Sequence, residues 1–193
     1  RQGYRGIVTR PAVSLYMIQV LGSYILVYGM VPLFILRALE LDMNEASIGI
    51  FYAAMGVGGF FGSIFSGMGE YSTRRALAIT GTTAAIGGVA VMLFGIAGTP
   101  LLALALLVLV GLLAEIEEIP AITYFQNSLP EGIYGRFFSL FMMATIVGGL
   151  VGSLLAPFLA DRYSTAFALT ALGVPMVFFG LVLAVRGGGL QFS

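Results

Sequence analysis

The hexapeptide Gly58-Gly59-Phe60-Phe61-Gly62-Ser63 returns as Gly148-Gly149-Leu150-Val151-Gly152-Ser153, and both copies lie deep in apolar stretches long enough to cross a bilayer. The echo continues downstream, through Glu70-Tyr71-Ser72-Thr73 after the first copy and Asp161-Arg162-Tyr163-Ser164-Thr165 after the second. One Gly-rich hexapeptide constrains little. Two copies, each in the second of three spans and each leading to an acidic residue and Tyr-Ser-Thr, predict one three-span unit used twice. Inverted duplications of this kind are a signature of secondary transporters.

A membrane span takes about 20 mainly apolar residues. Charged, Pro and Gly punctuation separates six such runs, at roughly 12–36, 46–67, 76–97, 101–125, 137–160 and 166–185. Only 9% of the residues are charged and 59% are hydrophobic, whereas a soluble domain carries about a quarter charged residues. The runs exceed barrel-strand length and lack period-two alternation, so helices are the spanning structure. The expectation is an all-α transmembrane fold: a single six-helix bundle over 1–193, built from two inverted three-helix repeats at about 11–97 and 101–186.

Cysteine and histidine are absent, which removes thiol chemistry, disulfides, Cys/His metal sites and histidine acid-base catalysis. No cofactor or metal is expected, and no enzyme activity, since no nucleophile, base and metal constellation exists. All nine basic residues are dispersed arginines, which leaves no nucleic-acid footprint. Gly56-Val57-Gly58-Gly59 lacks the spacing and preceding strand of a dinucleotide fingerprint. The chain begins at Arg1 with no signal peptide ahead of the first span, as expected for a piece of something longer.

With six spans, one side of the membrane carries Arg1, Arg5, Arg10, Arg74, Arg75, Arg136 and Arg186, and the other only Arg37 and Arg162. This positive-inside bias puts both termini in the cytoplasm of an integral protein of the bacterial inner membrane. Glu40, Asp42 and Glu45 crowd the first outer loop, where Asn44 is the expected N-cap of the second span.

Small residues four apart, Gly58 with Gly62, Gly59 with Ser63, Gly148 with Gly152 and Gly149 with Ser153, make faces on which helix backbones approach closely. Those faces serve packing inside the bundle or sliding against a second domain. Pro32 and Pro120 interrupt the first and fourth spans at nearly the same repeat offset, and each removes a backbone donor. Interrupted helices in matching positions point to a transport cavity, the alternative being simple bends.

The fourth span contains Glu115-Ile116-Glu117-Glu118-Ile119-Pro120, slightly past the middle of its apolar run. Each carboxylate near the bilayer centre costs about 2.5 to 3.5 kcal/mol, and each large aliphatic residue returns only about 0.3 to 0.6. Three carboxylates cost about 8 to 10 kcal/mol, roughly half of it offset by the preceding aliphatics. These groups therefore face a hydrated cavity, pair with a buried partner such as Arg37, or stay protonated because a low dielectric disfavours charge. Helical spacing puts Glu115 and Glu118 on one face, as a pair for a proton or a cationic substrate, with Glu117 turned elsewhere toward Tyr124. The first span adds a polar stripe of Tyr16, Gln19 and Ser23, with Tyr24 and Tyr28 nearby. Of these, Gln19 and Tyr28 are further candidates for the same cavity, although an intramembrane amide also bonds neighbouring helices. The methionines and phenylalanines pack or face lipid, and also suit a cavity for varied apolar compounds.

The link between spans four and five reads Gln126, Pro130, Tyr134-Gly135-Arg136 and Ser139-Leu140, followed by the glycine block and Ala160-Asp161. This pattern resembles the C-terminal half of major facilitator superfamily exporters, in the branch of siderophore (enterobactin-type) and drug effluxers, over essentially the whole chain. The resemblance implies helices seven to twelve of a proton-coupled exporter working by alternating access, with a small-molecule substrate held against a missing N-terminal six-helix half. It also implies a cytoplasmic loop motif over 66–75 that latches helices by charge. Glu70, Arg74 and Arg75 keep that chemistry; Ser66, Tyr71 and Thr73 depart from it, and Tyr134 replaces the first arginine of an Arg-Gly-Arg turn. Two alternatives remain open at this point: a self-contained homodimeric six-span transporter, and a non-transporting scaffold or assembly subunit among partner subunits of a larger membrane complex.

Overall fold

A computed structural model describes residues 11–44, 47–69 and 73–187. Among them the chain forms α1 (Pro11–Met30), a 3-10 turn (Val31–Leu33), α2 (Phe34–Glu40), α3 (Ser47–Gly67), α4 (Thr73–Gly95), α5 (Pro100–Ser128), α6 (Glu131–Arg162) and α7 (Thr165–Gly187). Six helical units are long and apolar enough to cross a membrane, the first of them combining α1, the turn and α2. The fifth, Gly132–Arg162, outruns the expected 137–160 at both ends, because a helix continues past its apolar window until a cap or proline stops it.

Local chemistry sets the helix ends. Thr99 is extended and accepts a hydrogen bond from the Leu102 amide at 3.3 Å, and Pro100 follows as the first residue of α5, where no backbone donor is needed. Leu129, extended ahead of Pro130, ends α5. Ser164 caps α7 by accepting from the Phe167 amide at 3.0 Å. Asn44 accepts from the Ser47 hydroxyl at 3.0 Å at the entrance to α3. Asp42 turns the chain in the left-handed region, at φ 54°, which Asp tolerates better than most residues.

The two prolines behave differently. Pro32 sits in the 3-10 turn that separates α1 from α2, as its lack of a donor predicts. Pro120 corrects the expectation of an interrupted fourth span, since α5 runs through it without a break. One proline removes one rung of the hydrogen-bond ladder, and packed neighbours hold a transmembrane helix together around it.

Glycine contacts bring the helices together in matching pairs. A Cβ on Gly58 would fall on the Val108 carbonyl and one on Gly62 on the Leu112 carbonyl, so α3 and α5 touch backbone to backbone. In the other copy a Cβ on Gly148 would meet the Leu21 carbonyl and one on Gly152 the Ile25 carbonyl, so α6 touches α1 in the same manner. Val108 thus corresponds to Leu21 and Leu112 to Ile25. A third contact of this kind joins α4 to α7: Gly81 faces Gly180 and Ala184, and Gly173 faces Gly88 and Met92. The sequence carries a signal for it, glycines repeating every seven residues in each helix, which a search for four-residue spacing passes over. The Gly58–Gly62 and Gly148–Gly152 faces are therefore filled inside the bundle, whereas Gly59, Ser63 and Gly149 are half-buried and Ser153 is exposed.

Two aromatic clusters close the core above and below the centre. Phe34, Phe51 and Phe94 meet edge to face at 5.5 to 5.9 Å, and Tyr16, Phe125 and Phe137 meet at 4.5 to 6.2 Å. Edge-to-face and tilted pairs add to plain area burial.

Gly58→Val and Gly152→Val should each destabilise the bundle by about 1 to 3 kcal/mol or more, because the added carbons meet backbone. Gly22→Ala and Gly56→Ala, where nothing lies within 4 Å of the new carbon, should be neutral or slightly stabilising. Thermal unfolding of the purified protein in detergent separates the two classes.

Candidate functional site

Three elements hold the acidic cluster. Ser23 of α1 donates to Oε1 of Glu117 at 2.6 Å, and Tyr24 of α1 donates to Oε2 of Glu118 at 3.1 Å. Gln19, one turn before Ser23, donates through Nε2 to the Ser23 hydroxyl at 3.0 Å. From α4, Thr80 donates to the backbone carbonyl of Glu117 at 3.0 Å. A carboxylate meeting a hydroxyl at such short range makes a charge-assisted bond. The helices thereby replace water for two groups that hydrocarbon would not tolerate.

The structure adds Glu117 to the face on which Glu118 was expected. Glu117 and Glu118 both line a cavity of about 280 Å³ together with Tyr16, Ser23, Tyr24 and Tyr28. Glu115 instead lies against Gly59 of α3, where a Cβ would stand 3.8 Å from its Cγ. The helical wheel explains this: Glu118 falls between the other two, about 100° from Glu117 and about 60° from Glu115. Glu117 and Glu118 straddle the direction of α1, and Glu115 is carried round toward α3. Tyr28 holds the corresponding place over the other copy, its ring 3.4 Å from a Cβ on Gly149. Gly59 and Gly149 thus each carry one polar side chain on the same part of the repeated block.

Arg37 is not the partner of this cluster. It is buried near the opposite end of the first span, paired with Glu40, donating to the Ala97 carbonyl at 2.7 Å and lying over the Phe94 ring. Among the described residues the Arg37–Glu40 contact is the sole ion pair, so hydroxyls serve the intramembrane carboxylates. Of the loop-motif residues, Glu70 and the Arg74 side chain lie outside the described residues. Arg75 is exposed, lining a shallow recess with Ala78, Ile79 and Thr82, and Arg136 is exposed on α6. Sequence reasoning missed Thr80, because a threonine bonding across to another helix looks the same in sequence as one bonding its own turn, as Thr82 does. Among the described residues no group of three or more acidic side chains could hold a metal ion.

A profile described as Major Facilitator Superfamily matches residues 12–187. Enterobactin exporter EntS of Salmonella typhi is 30% identical over 158 residues, which make up 80% of this chain and 37% of that protein. Enterobactin exporter EntS of Escherichia coli O1:K1 is 28% identical over 143 residues, 74% of this chain and 34% of that protein. The chain thus spans little more than a third of the length of these relatives. Among solved structures, the in meso crystal structure of the POT family transporter PepTSo superposes with a TM-score of 0.75 at 16% identity, over 92% of this chain and 37% of that one. The six-helix arrangement therefore recurs inside a larger transporter fold.

Double-mutant cycles read the contacts directly. Ser23→Ala with Glu117→Gln, and Tyr24→Phe with Glu118→Gln, should each show coupling of about 0.6 to 1.7 kcal/mol. Arg37→Met with Glu117→Gln should be additive within about 0.5 kcal/mol. Unfolding in denaturing detergent measures all three.

Proposed function

Because this chain belongs to the Major Facilitator Superfamily, we propose that it is the second six-helix half of a twelve-helix secondary transporter that expels a small molecule of the drug or siderophore kind. Protons moving inward drive the export, and the two halves rock about a substrate held between them. The observation that carries this reading is the pair of intramembrane carboxylates, Glu117 and Glu118, held by hydroxyls on the wall of a cavity. An ionisable group kept at that depth with no cation partner among the described residues serves ions or substrate more readily than it serves stability.

Several features support the details. The curated relatives are named as enterobactin exporters, which favours efflux and a siderophore-like cargo. The corresponding glycine contacts of α3 with α5 and α6 with α1 favour two inverted repeats at about 11–97 and 101–186. Arginine placement favours cytoplasmic termini in the bacterial inner membrane.

The test uses the full-length gene product in bacteria lacking their own exporters, with enterobactin as cargo. Glu117→Gln and Glu118→Gln should each lower efflux driven by a pH gradient about tenfold or more, a change of about 1.4 kcal/mol in barrier. Glu115→Gln should have the smaller effect. Full efflux with intact gradient dependence in all three variants would reject the coupling role.

A further inference from the structure

Gln19 has an amide oxygen with nothing to accept. The residue is 0% exposed and its Oε1 has no hydrogen-bond partner, although Nε2 of the same amide donates to Ser23, which donates to Glu117. A buried acceptor left empty costs free energy in that state, and a second state of the site that fills it accounts for its presence. The chain Gln19, Ser23, Glu117 has such a state. A serine hydroxyl has one proton and can point only one way, whereas a primary amide presents a donor on one side and an acceptor on the other.

We infer that Glu117 is the carboxyl that takes up and releases the proton, and that Gln19 is its positioning residue, the group that lets the hydrogen-bond chain reverse. With Glu117 ionised, the chain runs from amide N–H to hydroxyl to carboxylate, as observed. Uptake forms one O–H bond on a Glu117 oxygen, with a proton from water in the cavity. That O–H donates to Ser23, the Ser23 hydroxyl turns to Gln19, and the amide rotates to offer Oε1. Both states keep two hydrogen bonds, and release to water on the other side restores the first. No electrons move and no other reactant is needed. The inference rests on the transport reading for its purpose but stands on its own geometry.

The surroundings assign the two carboxyls different tasks. From α1 the titratable groups facing Glu117 are Tyr16 and Tyr24, and from its own helix Glu118 and, farther round, Glu115. From α4 the neighbour is the uncharged Thr80, and from α6 the cavity receives Phe141. Among the described residues no arginine bonds to Glu117 or Glu118. Glu118, with Tyr24 and the stacked Tyr28 ring 5.9 Å beyond it, is left facing the cavity and its cargo. A hard metal cation gathers about six or more oxygens, and the Gln19, Ser23 and Glu117 side chains alone would not fill such a shell without Glu118 and water from the cavity.

The test needs no cargo, because the proton is the probe. The full-length gene product in liposomes is titrated while infrared difference spectra follow the protonated carboxyl band and the glutamine amide band. Wild type and Glu118→Gln should show the titrating carboxyl band, and Glu117→Gln should lack it. Gln19→Met should move its midpoint by about one pH unit, the size of one hydrogen bond, and abolish the coupled amide change. Should Gln19→Met fail to fold, Ser23→Ala breaks the same chain and should do the same. A titrating band that survives Glu117→Gln, or an unmoved midpoint in the chain variants, overturns the inference. So does a wild-type midpoint that shifts when sodium replaces choline at constant pH, which would mark a metal cation as the occupant. Intact titration in a protein that exports nothing would sink the transport reading alone.

Discussion

Carboxylates in oil are the constraint on which the rest of this structure depends. Three on one helix would make α5 a poor insert if it faced lipid, since the aliphatic residues around them return only part of the cost. Hydroxyls of α1 meet two of the three, while Thr80 of α4 bonds the Glu117 backbone carbonyl, so the polar faces of α1 and α5 are obliged to look at one another. The hydrogen bonds Ser23 to Glu117 and Tyr24 to Glu118 therefore fix the register of the first and fourth spans as well as lining a cavity.

Close approach makes those bonds possible. Each of α1 and α5 is held on its other side by a glycine-bearing helix, α6 through Gly148 and Gly152 and α3 through Gly58 and Gly62, with α4 and α7 joined behind them through glycines of their own. Contacts of this type need no polar groups and depend on van der Waals packing between backbones. The apolar glycine seams set the distances, and the polar seam uses them. The glycine contacts and the Glu117 and Glu118 bonds thus lie on different faces of α1 and α5.

Much of this was legible in the residues. Six apolar runs predicted six spans, the duplicated hexapeptide marked the helices that contact neighbours backbone to backbone, and the price of Glu115, Glu117 and Glu118 marked the polar wall. What escaped is whatever depends on rotation about a helix axis or on partners far apart in the chain. Glu117 and Glu118 lie about 100° apart on the wheel, which reads as separate faces until α1 is seen to approach between them. Pro120 reads as a break because sequence shows its missing donor and not the neighbours that hold α5 together. Arg37 was a natural partner for buried acids by charge alone, but it lies at the other end of the bundle with Glu40 and the Ala97 carbonyl. Thr80 had no local mark at all.

The sharpest test asks whether α5 presents its acids to a wet protein cavity or to acyl chains. This chain has no cysteine, so in a full-length gene product with any cysteines outside it replaced, single cysteines report this directly through reaction with a hydrophilic thiol reagent in native membranes. Glu118→Cys should be labelled rapidly, and Phe178→Cys, exposed on the apolar surface of α7, should stay unreacted. Equal silence at both positions, with the protein folded, would place Glu118 in hydrocarbon and contradict the account.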